Sequence, residues 1–128
     1  MPDIESMNRL AERFFSAIER ADSEALESIY TPDAVVWHNY DNVEQSRDDN
    51  IAMLKTFPQM FRTFKYDNIR RSFFEGGFVQ QHVCTGLKSD GTPFSVPNCM
   101  VVTVRGGQIA RIDDYFDSAQ DARPKAAR

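Results

Sequence analysis

The second half of the chain constrains the fold most. Thr63 to Phe74, Phe78 to Leu87, Phe94 to Val104 and Ile109 to Phe116 are rich in β-branched and aromatic residues, the composition of strands. The breaks between them are Glu75-Gly76-Gly77, Ser89-Asp90-Gly91-Thr92 and Arg105-Gly106-Gly107. Breaks this short can turn a hairpin but cannot carry a crossover, so consecutive strands run antiparallel as a meander. Pro97 has no amide proton to give to a ladder, which predicts a bulge or an edge at that point of the third strand. Four long strands with apolar side chains need cover, and the first half of the chain has to supply it.

There Ile4, Met7, Leu10, Ala11, Phe14, Phe15 and Ile18 recur at three- and four-residue steps between charged residues, an amphipathic helix. Asp22 suits the N-cap of a second, shorter helix carrying Ala25, Leu26 and Ile29, which Thr31-Pro32-Asp33 stops. The pattern changes at Val35 to Tyr40, a strand with Val35, Trp37 and Asn39 on one face and Val36, His38 and Tyr40 on the other. Asn42 to Gln45 reads as a turn. Ser46 with Asp49 then resembles a capping box before a third helix carrying Ile51, Met53, Leu54, Phe57 and Phe61, which Pro58 should kink or end near Phe57. Three helices, one early strand and four antiparallel strands make an α+β fold, with helices packed on one face of a curved sheet.

At 128 residues the chain is read as one domain spanning 1–128. Its net charge of -4 and scattered Lys and Arg argue against a nucleic-acid or anionic-membrane partner. The only basic cluster, Arg123 to Arg128, reads as a frayed end. No apolar run approaches the roughly 20 residues of a membrane span, and no signal-peptide pattern opens the chain, so a cytoplasmic location is expected. Cys84 and Cys99 lack metal-site spacing and read as buried free thiols. No HxH, HExxH or cysteine cluster is present, so neither metal nor cofactor is expected.

The last strand carries the chemistry. Period two puts Ala110, Ile112, Asp114 and Phe116 on one face, so an acid flanked by Ile and Phe looks into an apolar interior. Such a carboxylate stays a proton acceptor when a partner holds it, which is how a strand-borne general base is made. Asp113 faces the other way, with Arg111.

With these elements in order, the chain resembles the nuclear transport factor 2-like superfamily, the cone-shaped α+β fold of ketosteroid isomerases, SnoaL-type polyketide cyclases and limonene epoxide hydrolase. Gly107-Gln108-Ile109 through Asp114-Tyr115-Phe116-Asp117 is similar to the hydrolase's final strand, where the Asp before Tyr-Phe-Asp is catalytic, and this implies that role for Asp114. Trp37-His38-Asn39 stands where the hydrolase has Tyr-x-Asn, so Asn39 matches and Trp37 does not. Gln80-Gln81-His82 stands where it has Arg-x-Asp, so two of its three charged catalytic groups are replaced.

Together, the resemblance and the strand faces imply a cavity walled by Phe14, Phe15, Ile18, Met53, Phe57, Trp37, Val96, Met100, Ile112 and Phe116. His82 is expected opposite Asp114, with Asn39, Gln80 and Asn98 as neutral donors and His38 turned to the surface or an interface. The implied function is a cofactor-independent acid–base enzyme of isomerase or cyclase type, in which Asp114 and His82 move a proton beside the carbonyl of a small apolar compound. A non-catalytic ligand-binding or dimerisation module is the alternative from another class. Epoxide hydrolysis is a third reading, weakened by Gln80 and His82. Apolar residues on both faces of Phe78 to Leu87, with Val79, Val83 and Leu87 outermost, imply a homodimer.

Overall fold

A computed structural model describes residues 3–117; the basic cluster Arg123 to Arg128 lies outside the described residues. The elements are α1 (Ile4–Glu19), α2 (Ser23–Ile29), β1 (Tyr30–His38), β2 (Val43–Ser46), α3 (Arg47–Leu54), α4 (Phe57–Met60), β3 (Phe61–Phe74), β4 (Gly77–Lys88), β5 (Pro93–Arg105) and β6 (Gln108–Phe116).

Each longer helix starts on a side-chain cap that satisfies an otherwise orphaned amide. Asp3 accepts from Ser6 N at 2.7 Å, Asp22 from Ala25 N at 3.1 Å and Ser46 from Asp49 N at 3.1 Å. The apolar stripe of α1 is buried from Met7 to Ile18, as its periodicity demands. Pro58 does not kink one long helix. The third helix ends at Leu54, and Pro58 sits in the first turn of the separate α4, where its missing amide proton is not needed.

Six strands form one sheet in the order β2-β1-β6-β5-β4-β3. The four long strands pair antiparallel, as the short breaks require, whereas β1 lies parallel to β6 and makes the sheet mixed. Two extents differ from the sequence reading. Residues 31–33, read as a helix stop, already belong to β1, whose register on β6 shifts between Tyr30 and Val35. Residues 43–45, read as turn, form the edge strand β2 together with Ser46. Further shifts fall between Asp67 and Arg70 on β3, where Asn68 takes a left-handed φ of 53°, and between Thr103 and Val104 on β5. Bulges of this kind bend a sheet and strengthen its twist. No shift falls at Pro97, which pairs with Val83; β6 begins to pair with β5 only at Asn98, so Pro97 has a strand neighbour on one side alone.

The helices cover the concave face of this sheet. Phe14 and Phe15 of α1, Leu26 and Ile29 of α2 and Ile51 of α3 pack with Phe78, Val102, Ile109 and Ile112 of the strands in one apolar cluster. Burial of each such side chain is worth about 1.5–3 kcal/mol, enough to fix which face of every strand points inward.

Candidate active site

The site is built on the parallel pair β1 and β6. His38 and Asp114 are register partners, and partners in a pair project to the same side of the sheet. Asp114 points inward with Ile112 and Phe116, as expected, and His38 points inward with it. That reverses the expected faces of β1. Trp37 and Asn39 do not line the cavity; Val36 and His38 do. The Trp37 indole donates to Asn42 Oδ1 at 2.7 Å and lies on Tyr115 across the outer surface. Asn39 still serves Asp114, through the backbone. Its amide donates to the carbonyl of Asp114 at 3.1 Å, and its Oδ1 accepts from Phe116 N at 3.0 Å, so it clamps the end of the strand that carries the acid.

Asp114 is 4% exposed and held on both oxygens. Asn98 Nδ2 donates to Oδ1 at 2.7 Å, and His38 Nε2 lies 3.5 Å from Oδ2. The amide donor and the imidazole each favour the charged form of the carboxylate against the cost of its burial. Tyr30 feels that charge. Burial first and the Asp114 charge second push its hydroxyl far above the usual tyrosine range, so it stays protonated and donates to Asn50 Oδ1 at 2.8 Å. Asn50 in turn donates to Gln45 at 3.0 Å, which ties the cavity to the edge strand.

His82 is not opposite Asp114. Its strand partner is Asn98, and the Asn98 side chain stands between the imidazole and the carboxylate. Its Nδ1 meets Gln80 Nε2 at 3.0 Å, and its ring packs edge-on against Phe15 and Tyr66 behind the cavity wall. Burial pushes its pKa down to about 4, Asn98 opposes the fall and the charge of Arg71 adds to it. A histidine in that setting is a neutral hydrogen-bonding group at pH 7 rather than a proton carrier. Gln80 is 0% exposed and likewise outside the cavity wall, and Phe15 sits behind Phe14.

The cavity brings together Phe14, Ile18, Met53, Phe57, Val96, Asn98, Met100, Ile112, Asp114 and Phe116, all anticipated from the resemblance together with the strand and helix faces. Tyr30, Val36, His38, Asn50, Leu54, Phe61, Phe64, Tyr66, Cys84 and Phe94 complete it. Phe61 and Phe64 were hidden by the expected helix carrying Phe61; once β3 begins there, its first residues face Phe57, with ring centroids 5.2 Å and 5.0 Å away. His38 could have been found from parity, because an inward Asp114 requires an inward partner on a neighbouring strand. The cavity has a volume of only about 50 Å³. A substrate of more than a few atoms therefore displaces side chains, and Met53, unbranched and only partly buried, is the most adaptable of them.

Among the described residues no group of three or more His, Cys, Asp or Glu could hold a metal ion, and no helix is long and apolar enough to cross a membrane.

The SnoaL-like domain family matches residues 11–112, and the chain belongs to it. The match stops just short of Asp114. No curated protein sequence matches the chain. Solved structures share the fold over nearly the whole chain. AusH from Aspergillus nidulans superposes with a TM-score of 0.81 at 17% identity, covering 95% of this chain and 91% of that one. An LEH-like epoxide hydrolase from M. tuberculosis gives 0.77 at 18% identity, with 93% and 88% covered. A protein with a ketosteroid isomerase-like fold from Catenulispora acidiphila, in complex with trimethylamine, gives 0.76 at 17% identity, with 90% and 93% covered. The expected nuclear transport factor 2-like architecture is therefore the one present, and at these identities the likeness is one of fold.

Proposed function

We propose that the protein is a cofactor-independent acid–base enzyme of isomerase or cyclase type, acting on a small, mostly apolar compound that carries a carbonyl oxygen. The observation that carries this reading is Asp114, a buried carboxylate on the wall of an apolar cavity, held by Asn98 at 2.7 Å and approached by His38 at 3.5 Å. Asp114 takes a proton from the carbon beside the carbonyl, the C–H electron pair forms a carbon–carbon double bond as the carbonyl π pair moves to the oxygen, and the proton returns to another carbon as the carbonyl re-forms. His38 is placed to exchange that proton with Asp114, the role first expected of His82. Asn98 is a neutral donor on the same wall, suited to an oxygen that gains charge.

Epoxide opening fits less well. It needs an acid for the departing oxygen as well as a base for water, and among the described residues Asp114 is the only carboxylate on the cavity wall. The names of the structural neighbours span both chemistries, so the choice rests on this chain's own groups.

Asp114→Asn tests the proposal. It keeps size and shape and removes the basic group, so turnover of an apolar carbonyl compound found by thermal-shift screening should fall by on the order of a hundredfold or more. Full turnover in a stable Asp114→Asn protein would leave the ligand-binding module in its place.

The outer face suits a second copy. Ile69, Leu87 and Tyr115 are 47%, 37% and 43% exposed on the sheet, and we propose a homodimer that covers them. Sedimentation at micromolar concentration should give a species near twice the 14.7 kDa chain mass; the single-chain mass alone would refute it.

A further inference from the structure

A line of polar side chains runs from the surface of α1 to Asp114, and the direction of its hydrogen bonds is fixed at one end. Arg71 on β3 is the strand partner of Gln80 on β4, and its Nε donates to Gln80 Oε1 at 2.8 Å. A guanidinium has donors and no acceptor, so the Gln80 carbonyl must face it. The Gln80 amide nitrogen is then turned to His82 Nδ1, 3.0 Å away, and it can only donate. His82 Nδ1 is therefore the acceptor, and the ring proton sits on Nε2. His82 Nε2 and Asn98 Oδ1 are buried on directly paired residues, and among the described residues neither has a hydrogen-bond partner of good geometry. They are one donor and one acceptor, so the tautomer set by Arg71 suits the Asn98 carbonyl. With that carbonyl turned to His82, the Asn98 amide nitrogen is presented to Asp114 Oδ1 at 2.7 Å. Arg71 is itself anchored on α1, where Nη1 donates to Asn8 Oδ1 and Asn8 donates to Glu12 at 3.1 Å.

We infer that Arg71 is a positioning residue for Asp114: through Gln80 it holds His82 as the Nε2–H tautomer, and through His82 it orients the Asn98 amide to donate to the carboxylate. This rests on the reading of Asp114 as the base, but the relay itself is a statement about proton positions that can be observed without a substrate. Reversing any member would turn the Asn98 oxygen toward Asp114, placing two acceptors together in a buried site.

The test is the ¹⁵N-edited spectrum of the His82 ring at pH 7 in the wild type, Arg71→Lys, Arg71→Met and Gln80→Glu. The wild type should show a pyrrole-like Nε2 and a pyridine-like Nδ1. Arg71→Lys, which also only donates, should keep that pattern. Arg71→Met frees Gln80 to turn and should give mixed tautomers. Gln80→Glu puts an acceptor beside Nδ1 and should move the proton there or charge the ring, and turnover should fall with it. A wild-type His82 protonated on Nδ1, or Arg71→Met and Gln80→Glu spectra unchanged from the wild type, would overturn the inference. If Gln80→Glu does not fold, the wild-type and Arg71 spectra still decide. An active Asp114→Asn protein would refute the base while leaving these spectra as they are, so the two failures are distinguishable.

Discussion

His38 and His82 are withdrawn from solvent to the same degree, each 3% exposed, yet their surroundings assign them different work. His38, at the end of β1, has the Asp114 carboxylate 3.5 Å from Nε2 and stacks near Tyr40 and Phe116 at the cavity. His82, in the middle of β4, has amides on either side, a cation two residues removed through Gln80, and the aromatic edges of Phe15 and Tyr66. A carboxylate neighbour favours the charged form of an imidazole, whereas burial holds His82 neutral, with Asn98 opposing it and the charge of Arg71 adding to it. Burial alone does not distinguish the two histidines; the charge each lies beside does.

The sharpest way to break that contrast is to cut the group joining the two regions. Asn98→Leu removes the 2.7 Å donor from Asp114 and leaves His82 Nε2 facing hydrocarbon. Leaving a buried polar group without its hydrogen-bond partner costs roughly 1–3 kcal/mol, and more where the group is charged, so the melting temperature should fall along with turnover. An Asn98→Leu protein as stable as the wild type would show that Asp114 does not depend on the amide.

A smaller effect separates the histidines by pH. The His82 pKa is about 4 in the folded chain against 6.5 for a free side chain. Between these values the unfolded chain binds a proton that the folded chain does not. The associated stability is fully present above pH 6.5 and is lost as the pH falls toward 4, by at most about 3 kcal/mol at 1.36 kcal/mol per pKa unit. In unfolding measurements from pH 7 to 4, the wild type should therefore lose stability faster than His82→Gln, which lacks the titrating group. Parallel curves for the two proteins would contradict the neutral, desolvated state of His82.

Much of the architecture was legible because it follows from short-range rules. The Gly-rich breaks dictated antiparallel neighbours, and Asp22 and Ser46 marked helix starts that the structure confirms. Asp114 was legible because Ile112 and Phe116 fix its face whatever the neighbouring strands do. The faces of β1 were not, because Trp37 is the bulkier apolar residue and local composition favours burying it. What decides instead is a long-range pairing, Val36 with Ile112 and His38 with Asp114, that no local pattern contains. The same holds for His82. Its inward face was read correctly, but its distance from Asp114 depends on the diagonal between β4 and β6, and β5 lies between them carrying Asn98.

The central claim is that the proton exchanged by Asp114 passes to His38 and not to His82. Side-by-side turnover of His38→Gln and His82→Gln, in proteins shown by melting to be folded, tests it most directly. The account predicts that His38→Gln loses on the order of tenfold to a hundredfold more activity than His82→Gln, as removal of an acid–base partner does relative to removal of a positioning group. A His38→Gln enzyme near wild-type turnover beside a crippled His82→Gln enzyme would contradict it.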